Sequence, residues 1–203
     1  LTNLVSRLKN KAYKPLPSLR VFIPKANGKK RPLGIASYED KIVQMAVKKV
    51  LGAIYEPRFL NCMYGFRPNK SCHEAVKEVY QRISYGKISY IVDADIKGFF
   101  DHIDHDWMMK FLEWHIQDPN LLWLIKKYLK AGIMEEGRWE ATEEGSAQGS
   151  VMSPMLANIY MHNVLTLWFK FVVKGTVKGD CFLVNFADDF VVGFQYKTDA
   201  EWY

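Results

Sequence analysis

Acidic side chains are missing from the first 38 residues of this chain, which hold nine Lys or Arg and not one Asp or Glu. Such an arm argues for a polyanionic partner, because clustered cations gain affinity by releasing counterions from phosphates; a solubilising tail is the plainer reading. The remainder, with 19 basic and 22 acidic residues, is close to neutral, so the net charge of +6 belongs to the arm. Long hydrophobic runs are missing too. No stretch of about 18 apolar residues occurs, which argues against a membrane-spanning helix, and the opening LTNLVSRLKNKAYKP is too polar for a signal peptide. Cysteine is scarce: Cys62, Cys72 and Cys181 are an odd count without C-x-x-C spacing. That argues against a zinc knuckle and for reduced thiols in a cytosolic setting. There is no internal repeat, no low-complexity segment and no Gly/Ser-rich linker. The 203 residues, 49% apolar, suit one domain or two small ones with a real core.

What is present alternates between strand and helix signals. Leu19, Val21 and Ile23 alternate with Arg20 and Phe22, Asn27-Gly28 supplies a turn, and Arg31 to Ile35 returns. This predicts a β-hairpin with Lys25, Lys29, Lys30 and Arg31 at its tip. A capping box at Ser37 and Asp40 opens a helix striped by Ile42, Val43, Ala46, Val47, Val50 and Ile54, with Pro57 beyond its end. Ser71 with Glu74 caps a second helix, striped by Ala75, Val76, Val79, Tyr80 and Ile83. Asp118-Pro119 starts a third, which buries Leu121, Leu122, Ile125 and Leu129 and stops at Gly132; Ser153-Pro154 starts a fourth that runs to about Phe171. Between them YIVDADI puts Ile91, Asp93 and Asp95 on one strand face, and CFLVNFADDFVVGF is two apolar runs broken by Asp188-Asp189. Helices and strands mix without a βαβ rhythm, so the fold class is α+β.

An Asp pair between two apolar strands is often only a hairpin turn, since Asp bonds the local backbone. Here Phe186 and Phe190 crowd the pair, and Asp95 lies in an equally apolar frame where an unpaired carboxylate is expensive to bury. No Lys or Arg nearby in sequence offers Asp188 and Asp189 a counterion. Three acids at strand ends repel one another unless cations sit among them. A few hard oxygen ligands with room for water and phosphate suit Mg²⁺, and two such ions about 3.5 to 4 Å apart serve in-line phosphoryl transfer. The rival metal cluster, Asp101, His102, Asp104, His105 and Asp106, has zinc-type ligands, but Asp104 is better read as the N-cap of a helix beginning near His105.

From about Leu4 onward, ordered blocks of the chain resemble bacterial and organellar group II intron reverse transcriptases, or maturases. The blocks are IPKANGKKRPLGI followed by KIVQMAVKKVL, then YGFRPNKSCHEAV, VDADIKGFFDHIDHD, AQGSVMSPMLANIY and NFADDF. The resemblance implies a right-hand polymerase, with fingers over 1–88 and 106–146 and an antiparallel palm sheet backed by helices over 89–105 and 147–203. It implies RNA-directed DNA synthesis with two Mg²⁺ ions, Mn²⁺ standing in for them, and it makes RNA template, DNA primer, dNTPs and intron RNA the partners. A homodimer is compatible with it, and the setting is the cytoplasm of a bacterial-type host or an organelle. The thumb and any later maturase or endonuclease modules are expected to lie outside this stretch.

Matched position by position, Asp95, Asp188 and Asp189 are the catalytic acids, with Asp95 and Asp188 the direct metal ligands. Lys25 and Arg31 match the fingers residues that grip the triphosphate, Gln148 and Gly149 the nucleotide-contacting pair, and Phe100 the aromatic that crowds the sugar 2′ position. Phe99 beside it is the alternative gate. Lys29 and Lys30 are assigned to RNA template, and Arg67 matches a fingers residue near template or nucleotide. Three departures stand out: Ala147 replaces a usual Pro, Phe186 replaces a usual Tyr, and Asn185 occupies a position that is commonly basic, which leaves any contact made there in doubt. The competing readings are an RNA-binding splicing scaffold without polymerase activity and a reverse transcriptase of another retroelement.

Overall fold

The computed structural model describes residues 2–24, 28, 30–146 and 149–203. In chain order its helices and strands begin with α1 (Thr2–Lys9), β1 (Ser18–Pro24), β2 (Lys30–Ile35), α2 (Tyr38–Tyr55) and α3 (Cys72–Tyr85). There follow β3 (Tyr90–Asp95), a 3₁₀ turn at Phe99–Asp101, α4 (His105–Glu113), α5 (Pro119–Leu129), β4 (Ile133–Glu135) and β5 (Arg138–Glu140). The last elements are α6 (Ser153–Met161), α7 (Lys174–Thr176), β6 (Cys181–Phe186), β7 (Asp189–Phe194) and α8 (Lys197–Trp202). Two compact units result: Leu1–Gly52 with Phe100–Ser153, and Ala53–Phe99 with Pro154–Tyr203.

The first unit is organised by a four-stranded sheet in the order β2-β1-β4-β5. β1 and β2 form the expected hairpin, Leu19 opposite Ile35 through Pro24 opposite Lys30. The short β4–β5 hairpin, which carries no long alternating run to announce it, joins β1 in parallel, and Arg20 bridges the two by pairing with Glu135 at 2.9 Å. The capping box of α2 forms as read: the Asp40 N–H donates to Ser37 Oγ at 3.2 Å. The predicted α2 stripe holds only at Val43 and Val47. Ile42, Ala46 and Val50 face outward, and the buried row is Asp40, Val43, Gln44, Val47 and Leu51. Polar members mislead a reading by hydropathy. Gln44 Oε1 accepts from Ser150 Oγ at 3.1 Å and from the Val151 N–H at 3.0 Å. The buried Asp40 accepts from Tyr13 OH, Ser37 Oγ and the Leu16 N–H, which ties the N-terminal arm to α2.

The second unit is built on the antiparallel sheet β3-β7-β6. Tyr64, Ala75, Phe182 and Val184 form a core cluster, with Val79, Ile88, Phe186 and Val191 against it. Ser71 caps α3 as expected by accepting from the Glu74 N–H at 3.3 Å. Of the predicted α3 stripe only Ala75 is buried, while Val76, Tyr80 and Ile83 are exposed. The fourth helix overruns its predicted end at Phe171. It continues from α6 through widened π turns at His162–Thr166 and Phe169–Val173 into α7. A π turn adds a residue per turn without breaking the hydrogen-bonded column, so apolar spacing alone did not reveal this end.

Candidate active site

The three acids singled out in the sequence all lie in the second unit. In the register of β3 on β7, Asp95 stands opposite Asp189 and Ala94 opposite Phe190. The Ile96 N–H donates to the Asp188 carbonyl at 3.3 Å, which carries the pairing beyond the strand end. Alternation leaves Ile91, Asp93 and Asp95 exposed on one face of β3, with Val92 and Ala94 half-buried on the other. Like charges directly opposite on a sheet are destabilising, and Asp189 registers it. Its carboxyl is raised above the ordinary range by partial burial first, then by the charges of Asp188, Asp95 and Asp93 and a hydrogen bond with Asp95. Among the described residues none of the three acids has a Lys, Arg or His ion-pair partner.

The turn that presents Asp188 is held from below by residues that hydropathy would not flag. β6 and β7 close through Ala187 and Asp188, the last strand pair being Phe186 with Asp189. Ala187 takes φ +59°, a left-handed conformation that costs an L-residue about 1–2 kcal/mol. Asn185, fully buried, offsets this: its Nδ2 donates to the Ala187 carbonyl at 2.8 Å and to that of Asp189 at 3.3 Å. Its backbone is fixed as well, by the Cys62 carbonyl and the Tyr64 N–H, each at 2.8 Å. Gly65 lies so close beneath that an added Cβ would come within 3.1 Å of Ala187 Cα and nearer still to its nitrogen. The buried Asn158 donates to the Gly65 carbonyl at 2.8 Å. Asn185, commonly a basic position in the resembling family, is therefore the clamp of the acidic turn. Asn158 could have been noticed as a lone polar residue between Leu156, Ala157 and Ile159.

Of the expected nucleotide residues, Arg31, Phe100 and Gly149 lie in the first unit. Lys30 and Arg31 are exposed on β2, opposite Pro24 and Ile23. Lys25, Lys29, Ala147 and Gln148 lie outside the described residues. Gly149 has φ +99°, and a Cβ there would fall 2.5 Å from Leu33 and 2.8 Å from the Gly34 carbonyl, so its backbone lies against β2. Residues 100–104 and 144–146 are laced together: the Ser146 N–H donates to the Phe100 carbonyl at 2.6 Å and the Gly145 N–H to that of Ile103 at 2.7 Å. The two adjacent rings part company, since Phe99 is buried, edge-on to Tyr160 with ring centres 6.2 Å apart, and Phe100 is half-exposed.

One matched residue and the rival metal cluster have other partners. Arg67, matched to a position near template, spends its guanidinium on protein acceptors. It reaches Glu56 Oε2 and the Met63 carbonyl at 3.0 Å and the Leu60 carbonyl at 2.9 Å, over the Phe59 ring, and its side chain is 9% exposed. It staples the segment from Glu56 to Arg67. In the rival zinc cluster, Asp104 caps α4 by accepting from the Trp107 N–H at 2.9 Å. His105 Nε2 lies 2.6 Å from the Gly145 carbonyl and His102 faces Glu144, so the two rings serve different partners.

Among the described residues no three His, Cys, Asp or Glu side chains form a ready-made metal cage. Facing carboxylates that are complete only with water and phosphate oxygens fit Mg²⁺, which keeps several waters and seldom takes an all-protein site. The donor set is hard oxygen, it repels itself without a cation, and it fits.

A three-stranded antiparallel sheet that ends in opposed acids beside a clamped acidic turn is a frame for metal-dependent chemistry on phosphates. The chain belongs to the reverse transcriptase (RNA-dependent DNA polymerase) family, whose model matches residues 23–202. Membership implies, in general terms, dependence on a divalent metal and binding of a nucleic-acid template. Over 181 residues the chain is 42% identical to the group II intron-encoded protein LtrA of Lactococcus lactis subsp. cremoris, a match that covers 89% of this chain and 29% of that protein. An uncharacterized 91 kDa protein in the cob intron of Schizosaccharomyces pombe is 40% identical over 164 residues, 81% of this chain and 20% of that one. The chain thus spans less than a third of the length of either relative. Telomerase from Candida albicans, solved with a fragment of telomeric RNA, shares the fold: TM-score 0.63 at 14% identity, over 95% of this chain and 40% of that one.

Proposed function

We propose that this chain is the catalytic part of a group II intron-type reverse transcriptase, which adds dNTPs to a DNA primer on an RNA template and, as a maturase, binds intron RNA. The observation that carries the reading is the register that sets Asp95 against Asp189 with Asp188 in the adjoining turn. Asp95 and Asp188 are the proposed ligands of two Mg²⁺ ions, Asp189 is the third acid, and Mn²⁺ is a workable substitute. Bound there, the ions supply activation of the primer hydroxyl and neutralisation of charge on the leaving pyrophosphate. The chain's own contribution is positioning, which provides most of the catalysis in phosphoryl transfer: Asn185, Gly65 and Asn158 hold the acidic turn where it is. Lys25 and Arg31 are assigned to the triphosphate, Gln148 and Gly149 to the nucleotide, Phe100 to exclusion of a 2′-hydroxyl, and Lys29 and Lys30 to template RNA. Fingers at 1–88 and 106–146 and palm at 89–105 and 147–203 remain the proposed functional division, and a bacterial-type cytoplasm or an organelle the proposed setting.

A splicing scaffold without polymerase activity has no need of self-repelling acids, and all three are present. The test is Asp188→Asn, which keeps shape and removes charge. Templated nucleotide addition in Mg²⁺ should fall by about three orders of magnitude or more, on the scale of losing a main electrostatic contact to the transition state, with RNA binding unchanged. Activity within a few-fold of the parent would sink the assignment.

A further inference from the structure

At the edge of the palm sheet formed by β6, away from β3 in the strand order, the second unit has a cleft of about 630 Å³. Lys70, Arg82, Lys170 and Lys174 line it, with Glu78 as the one carboxylate. Glu78 is taken by Arg82 at 2.8 Å, and among the described residues Lys70, Lys170 and Lys174 have no ion-pair partner. Three lysines without an ion-pair partner thus line one concavity, Lys170 with its Nζ 5.0 Å over the exposed Phe171 ring at its margin. Two are held over rings of its wall: Lys70 Nζ lies 4.8 Å from the centre of Tyr64, and Lys174 Nζ 5.9 Å from that of Phe169. None of these residues belongs to the acidic turn or the basic hairpin.

We infer that this cleft is a second nucleic-acid site, which takes the phosphodiester backbone of single-stranded or looped RNA independently of the primer–template. Lysines grouped at close range gain affinity by releasing counterions from phosphates. The cleft's size is in the range of nucleotide-sized sites. The inference rests on the reading of the chain as an RNA-handling polymerase and adds to it a surface that catalysis does not require.

The test combines Lys70→Gln, Lys170→Glu and Lys174→Glu in the full chain and measures affinity for a hairpin RNA with single-stranded flanks across a salt series. Three lost phosphate contacts should make the log–log salt slope shallower by about two units, at roughly 0.7 per contact for single strands, with the unfolding midpoint unchanged. Photocrosslinks from the wild-type chain to this RNA should map to peptides holding Lys70, Lys170 or Lys174. An unchanged slope would overturn the inference. So would an equal flattening from Lys126→Glu, Lys127→Glu and Lys130→Glu, or polyglutamate competing as well as RNA, which would assign the cleft to acidic protein. Asp188→Asn separates the two claims, since that variant should bind the RNA as the parent does. If wild-type chain bound no RNA, the proposed function and the cleft would fail together.

Discussion

Asp189 is where stability and function pull against each other. Its folded-state pKa lies above the ordinary carboxylate value because of partial burial and the neighbouring charges of Asp188, Asp95 and Asp93. A raised folded pKa means that the stability this group gives is complete below its unfolded pKa and is lost as pH rises through the folded one. At neutral pH the ionised Asp189 is therefore a net cost. Asp189→Asn should raise the unfolding midpoint at pH 7, and the gain should fade as pH falls below the ordinary carboxylate range; added Mg²⁺ should stabilise wild type more than the variant. Thermal melts at several pH values check this, and a lower midpoint for the variant at pH 7 would contradict it. At Phe100 the prediction concerns selection. Phe100→Val should raise the ratio of rNTP to dNTP incorporation by about tenfold or more, the scale on which a steric contact discriminates, measured in single-nucleotide assays. Phe99→Val should instead lower stability, because that ring is in the core. FF in sequence does not say which ring is buried; in the 3₁₀ turn Phe99 enters the core and Phe100 stays half-exposed. Arg67 carries a similar lesson. A basic residue in a matched block is visible in sequence, but whether its donors are spent on Glu56, Leu60 and Met63 is not.

Among the elements, the β6–β7 hairpin was legible because its apolar runs are long and its Asp pair interrupts them. The clamp beneath it was not, because it joins positions far apart in sequence: Gly65, Asn158 and Asn185 meet only when the segment at Met63 pairs with the end of β6. That clamp makes a prediction. Gly65→Ala puts a Cβ against the backbone of Ala187, where no flexible side chain can yield. It should cost about 1–3 kcal/mol of stability and depress nucleotide addition beyond what the melting change explains, because the turn that must move carries Asp188. Chemical denaturation and extension rates, compared for Gly65→Ala and for an Ala substitution at exposed Val76, separate the two effects. Equal activity loss in both variants would deny the turn its role. Helix capping by Ser37, Ser71, Asp104 and Asp118 was readable because a cap is a local contact. The buried face of α2 was not. Asp40 and Gln44 lie on it, and their burial depends on distant partners, among them Tyr13 for Asp40 and Ser150 and Val151 for Gln44.

For the whole molecule, the α+β class followed from mixed helix and strand signals, and the antiparallel palm-type sheet and the family from ordered blocks, each a local pattern. The division into compact units did not. The chain returns to each unit after an excursion, so Arg31, Phe100 and Gly149 fall in the first and the three acids in the second, with no linker in composition to mark the change. The central claim is that the acids of the second unit hold the divalent metal on which nucleotide addition depends. Metal rescue tests it most directly. Asp188→Cys replaces a hard oxygen donor by a thiolate, which disfavours Mg²⁺ and accepts softer ions. Templated addition by the variant should be undetectable in Mg²⁺ and partly restored by Mn²⁺ or Cd²⁺, with no such restoration for Asp188→Ala. Near-parental activity of Asp188→Cys in Mg²⁺ alone, or equal response of both variants to the softer ions, would contradict the account.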